Sequence, residues 1–150
     1  MDTYIASASG IALTAESTKT LMQIATTADI RAKLIGLDVT FDGDTSGLPE
    51  ILVELLRQTT AGTGTGVTPV KADSAAPTAI VTAAKAHSSE PTASSILRSW
   101  YVDPHDGKIL WREYDPEAQI RIPASGYLGV RYTSGAGVTV NAAVNMIWSE

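Results

Sequence analysis

Asp103, His105 and Asp106 are the residues whose types most resemble a reaction centre. A histidine beside two carboxylates can bind a metal or act as a general base. Their setting, Asp103-Pro104-His105-Asp106-Gly107, is that of a turn. Proline presets φ there and glycine supplies φ > 0, so the turn accounts for the residue types without chemistry. His87 sits in a serine-rich stretch with no ligand partner near it in sequence, and we read it as a loop residue.

Asp42-Gly43-Asp44-Thr45-Ser46-Gly47 partly matches a calcium loop. Asp42, Asp44 and Ser46 fall where such a loop places oxygen ligands, and Gly47 where it turns. Val53 stands in place of the closing bidentate glutamate, and the flanks read as strands, not helices. We therefore assign no metal. Gly62-Thr63-Gly64-Thr65-Gly66 lacks the lysine ending of a phosphate-binding loop. There is no Gly-x-Ser-x-Gly elbow, and no cysteine to act as nucleophile or thiolate ligand. No pair of carboxylates is singled out by spacing. Catalytic residues and cofactors are expected to be none, and the chain to be non-enzymatic. Glu54 with Arg57, or Glu113 with Arg112, can form surface ion pairs that decide nothing about function.

The whole chain bounds the rest. It has 150 residues, 44% of them hydrophobic, which suits one globular domain. The formal net charge is −5. With its Lys and Arg residues scattered, the chain is expected to bind neither nucleic acid nor an anionic membrane. No apolar run approaches the ~20 residues of a membrane-spanning helix, and no basic segment leads into an apolar one. Synthesis in a cytosol, without export by that route, is the expectation.

The elements that must position any site are strands. From Val138 to Trp148 every second residue is apolar, the period of a strand with one buried face. Leu128, Val130 and Tyr132 alternate just before Ser134-Gly135-Ala136-Gly137, so the end of the chain reads as a long hairpin. Trp148 should anchor the core, and the polar face of Thr139, Asn141 and Asn145, broken by Ile147, is a place for a neighbouring subunit. Ile35, Leu37, Val39 and Phe41 mark another clear strand. Thr18–Thr26, Glu50–Thr59 and Thr78–Ala86 each fit a helix face as well as a strand; threonine content and the all-β context point to strands. Ile96–Val102 and Lys108–Tyr114 read as a hairpin about Asp103–Gly107. Thr60–Pro77 and His87–Ser95 read as loops, and residues 1–10 as an N-terminal arm or loose terminus. The fold expected over residues 11–150 is an all-β, antiparallel, jelly-roll-like two-sheet sandwich of roughly eight to ten strands.

Ala8-Ser9-Gly10-Ile11-Ala12-Leu13-Thr14-Ala15, Lys19-Thr20-Leu21, Val39-Thr40-Phe41-Asp42-Gly43, Val53–Thr63, Ser89-Glu90-Pro91-Thr92, Leu97-Arg98-Ser99-Trp100 and Ile122-Pro123-Ala124-Ser125-Gly126 follow one another in that order. Together these segments resemble small structural proteins of tailed-bacteriophage virions, of the capsid decoration (cement) type. The resemblance spans almost the whole chain and carries no catalytic motif. It implies a virion protein on the capsid exterior, with the major capsid protein and its own copies as partners. A homotrimer on a shell symmetry axis is the expected assembly. Tyr4, Ile5, Trp111 and Tyr114 are the residues we expect at an interface.

Two other roles remain open at this point. A tail, baseplate or head-fibre component has the same kind of sequence. A carbohydrate-binding β-sandwich module is suggested by Trp100, Tyr101, Trp111 and Tyr114, since exposed rings stack on sugars.

Overall fold

The two clearest alternating runs, Ile35–Phe41 and Val138–Trp148, end up side by side in one sheet. They belong to β3 (Ala32–Phe41) and β12 (Asn141–Ser149), paired antiparallel with Val39 opposite Val144 and Leu37 opposite Met146. A computed structural model describes residues Met1–Glu150 and contains no helix. Its other strands are β1 (Thr3–Ala12), β2 (Thr18–Ala25), β4 (Ile51–Gln58), β5 (Thr63–Val67), β6 (Val70–Lys71) and β7 (Thr82–Ser89). β8 (Ala93–Val102), β9 (Lys108–Arg112), β10 (Ile120–Ile122) and β11 (Tyr127–Thr133) follow.

The strands form two six-stranded antiparallel sheets, the sandwich that the alternation predicts, with twelve strands where eight to ten were expected. One sheet, sheet A, runs β10-β3-β12-β1-β6, with β9 also paired to β3; the other, sheet B, runs β5-β7-β2-β11-β4-β8. Inward-facing Val, Leu, Ile and Met side chains from both sheets make a single core that includes Trp148 and Tyr132. β12 lies between β3 and β1, so its alternate residues Ala142, Val144, Met146 and Trp148 are buried.

No two strands consecutive in sequence pair with each other. Both expected hairpins are therefore corrected. The turn at 134–137 carries the chain from β11 in sheet B to β12 in sheet A, and Asp103–Gly107 carries it from β8 in sheet B to β9 in sheet A. A hairpin and an arch between sheets use the same Gly, Pro and Asp chemistry, and alternation says which face is buried but not which strand is the neighbour.

The ends of the chain are corrected as well. Residues 3–12, expected in an arm or loose terminus, form β1, held between β12 and β6. The stretch Thr60–Pro77, expected as loop, contains β5 and β6, exposed edge pieces whose Gly and Thr residues give no apolar signal. β7 starts later than expected and extends through His87 to Ser89, and β8 begins at Ala93 inside the second expected loop.

Glu50–Thr59 is a strand with both sides covered. Ile51, Val53 and Leu55 point into the core, and Glu54, Leu56 and Gln58 are buried on the opposite side. A bulge at Leu21 turns both Leu21 and Met22 inward, which explains the helix-like spacing of β2.

Candidate functional site

The outer faces of the two sheets differ. On sheet B the outward residues Thr20, Gln23, Glu54, Leu56 and Gln58 are buried. They cover one another through hydrogen bonds: Gln23 Nε2 donates to Gln58 Oε1 (2.7 Å), Gln58 Nε2 to Thr20 Oγ1 (3.0 Å), and Thr20 Oγ1 to Glu90 Oε2 (2.8 Å). Gly129 lies between the two glutamines, and a Cβ there would sit 2.3 Å from Gln58 Oε1. Arg131 Nη2 donates to Glu54 Oε2 at 3.0 Å. The central part of this face, on β2, β11 and β4, is closed by its own side chains, while Ile96 and Tyr101 on the edge strand β8 are exposed.

The outer face of sheet A is open. Strand register places Gly36, Ile147, Ile5 and Val70 in one row across β3, β12, β1 and β6. Ile5 and Ile147 are half-buried, and Val70 is 63% exposed. The neighbouring row runs Leu110, Asp38, Asn145, Ser7 across β9, β3, β12 and β1. Here Arg112 Nη2 donates to Asp38 Oδ2 at 2.9 Å, and Ser7 Oγ donates to Asn145 Oδ1 at 2.6 Å. The Asp38 carboxylate raises the Arg112 pKa above its ordinary value, chiefly through this hydrogen bond, so the guanidinium is fixed in its charged form. The Arg112 stem lies over Gly36, where a Cβ would come within 2.7 Å of Arg112 Cδ. The result is an apolar stripe bordered by a row in which Asp38, Asn145 and Ser7 are polar and Leu110 is an exposed apolar end.

The expected interface residues divide. Ile5 lies in the apolar row, and Tyr114 follows β9 as one of the most exposed large side chains. Tyr4 is corrected: it is a core residue, 1% exposed, because alternation turns it to the opposite side of β1 from Ile5. Trp111 is half-buried on the inner side of β9, opposite Leu37, with the Arg98 guanidinium 5.2 Å from its ring centre. Trp100 is likewise half-buried against the core, while Tyr101 is exposed.

The chemistry-like clusters resolve into structure. His105 Nδ1 lies 3.0 Å from the Gly43 carbonyl oxygen and its backbone N–H donates to Asp103 Oδ1, so the turn is pinned to the β3–β4 loop. In the calcium-like loop, Asp42 accepts from the Asn141 backbone N–H at 2.6 Å and from Asn141 Nδ2 at 2.9 Å. These bonds hold its carboxyl below the usual range. Asp42 is thus a clamp on the start of β12, and no group of three or more His, Cys, Asp or Glu side chains is placed to hold a metal. His87 is not in a loop. It is buried on β7 against Gly64, with both ring nitrogens unpartnered, and burial lowers its pKa. Beside it is a cavity of about 190 Å³, also lined by Lys19, Thr20 and Tyr132.

Neither sequence-near ion pair forms. Glu54 takes Arg131 and Arg112 takes Asp38, each from another strand. No family model, curated protein or solved structure matches the chain.

Proposed function

We propose that the protein is a non-enzymatic structural protein of a bacteriophage virion that decorates and stabilises the outer surface of the capsid as a homo-oligomer. The observation that carries this reading is the open outer face of sheet A, where Ile147, Ile5 and Val70 form an apolar row across three strands. Such a row, with exposed Leu110 in the adjacent row of the same face, suits docking on another protein surface. The continuous core supplies the support behind it. Binding the assembled shell but not its separated subunits stabilises the shell by linkage, and many copies per shell add multivalency. The trimer and the role of the major capsid protein as partner rest on the sequence resemblance.

The test is co-sedimentation of purified protein with expanded, decoration-free capsids, together with sedimentation velocity of the protein alone. We expect a discrete oligomer that pellets with the shells, and loss of both behaviours in Ile5→Lys. A folded protein that stays in the supernatant at micromolar concentration overturns the proposal. Copy number in purified particles separates the alternative: hundreds per particle favour the shell, and a few or dozens favour a tail, baseplate or fibre. Tyr101 and Tyr114, at 73% and 82% exposure, favour the second reading, a carbohydrate-binding module. A glycan-array signal abolished by Tyr114→Ala would establish it.

A further inference from the structure

Although the chain is acidic overall, four of its eleven Lys and Arg residues line one cleft. The cleft is about 660 Å³ and lies at the end of the sandwich where β3 begins and β4 and β10 end. Arg31 and Lys33 flank the first residue of β3, Arg57 comes from the end of β4, and Arg121 from β10. No carboxylate is among the lining residues. Ala32 and Ile122, opposite each other in the β10–β3 ladder, line the cleft from beneath but are almost fully buried, so its accessible apolar surface comes from Met1, Pro123 and the stems of the basic side chains.

The arrangement works against the fold. Arg121 is directly opposite Lys33 in the β10–β3 ladder, and like charges in that position repel. Arg121 has one relief, an exposed ion pair with Glu117 at 2.9 Å. Arg31, Lys33 and Arg57 make no ion pair. Asp29, near in sequence to Arg31, makes none either. The cleft therefore concentrates positive charge that the protein's own carboxylates leave largely uncompensated.

We infer that this cleft is a binding site for a compact organic anion carrying two or more carboxylate or phosphate groups on a small carbon body. Guanidinium forks pair with either group through two parallel hydrogen bonds, and lysine adds a point charge. The volume is that of a small-molecule pocket, and Met1, Pro123 and the stems of the basic side chains offer apolar surface to the carbon body. The net charge of −5 repels long polyanions at a distance, while the local field of the cleft attracts a small one. A small anion is thus favoured over nucleic acid. The inference is independent of the capsid role.

The test is calorimetric titration of the full chain at low ionic strength with two probes, citrate and pyrophosphate. At least one should saturate at a single site with a dissociation constant below about 1 mM, weakening as salt is added. Saturation by citrate alone assigns carboxylates, and by pyrophosphate alone phosphates. Arg57→Gln should weaken binding roughly tenfold, the loss expected for one charge-assisted contact. Arg98→Gln, on β8 over Trp111 and outside the cleft, should leave it unchanged. Absence of saturation with both probes overturns the inference, and so does equal weakening by Arg57→Gln and Arg98→Gln. A second measurement needs no ligand. Lys33→Gln removes the repulsion with Arg121 and should raise the melting temperature of the free protein; a lowered one overturns the premise of uncompensated charge.

Discussion

Tyr4 and Trp148 stand directly opposite each other on the first and last strands, with ring centres 6.3 Å apart and planes inclined at 28°. Each ring also has a polar anchor. The Tyr4 hydroxyl donates to the Pro77 carbonyl oxygen at 3.1 Å, and Trp148 Nε1 donates to Glu150 Oε2 at 3.3 Å. The two ends of the chain are thereby fastened into one core. Trp148→Ala should cost ~3–5 kcal/mol in urea unfolding, the range for emptying a buried aromatic site. Tyr4→Ala should cost less in the Trp148→Ala background than in the native protein, because the stacked partner has gone. Strict additivity, or a Trp148→Ala cost well below ~1 kcal/mol, would show that the rings do not share a packed core.

The Glu54–Arg131 pair is buried on the outer face of sheet B, with side-chain exposures of 7% and 21%. Removing one member strands a charge, which costs ~3–5 kcal/mol for a fully buried pair. Arg131 retains some water, so Arg131→Met should cost ~3 kcal/mol or less. Replacing both, as Glu54→Leu with Arg131→Met, should recover most of that loss, since no charge then remains to be solvated. Chemical denaturation of the three variants measures this. A double variant as unstable as Arg131→Met would show that the pair serves packing rather than charge.

His87 sets a pH dependence. Burial pushes its imidazole below the ordinary 6.5, against an opposing pull from the Glu90 charge. As pH falls, the unfolded chain takes up this proton before the folded one. The stability due to neutral His87 is complete above about pH 6.5 and declines as pH drops toward its lower folded value. The urea midpoint should therefore fall from about pH 7 to 5.5 in the native protein, and the fall should be smaller in His87→Leu. Identical slopes in the two proteins would show that His87 is neutral or charged alike in both states.

Much of the fold was legible because a strand needs only alternation. Val138–Trp148 shows which residues face the core, and so do Leu37 and Val39, all of which the structure buries; Ile35, expected on that face, is only half-buried, and Leu34 is buried instead, where a register shift places it opposite Trp148. The double-sided coverage of β4 was legible from Ile51, Leu52, Val53, Leu55 and Leu56 once the context was all-β. Partner choice was not legible. The turns at 103–107 and 134–137 look like hairpin tips, yet each crosses between sheets, because turn residues encode a reversal and not its destination. Tyr4 looked like part of a free end only because its neighbour across the sheet, Trp148, lies at the far end of the chain.

The candidate sites divide in the same way. The chain by itself determined the strand content, the inward set of each long alternating run, the negative charge and the lack of cysteine. It also placed Ile147 on the outward side of its strand. Only the tertiary structure aligned Ile5, Ile147 and Val70 in one row, paired Glu54 with Arg131, and left His87 without a partner. It also gathered Arg31, Lys33, Arg57 and Arg121, which look scattered along the chain, at one end of the sandwich. The physical reason is that no strand here pairs with the strand next to it in the chain. Local pattern fixes which way a side chain points, and long-range register decides what it meets.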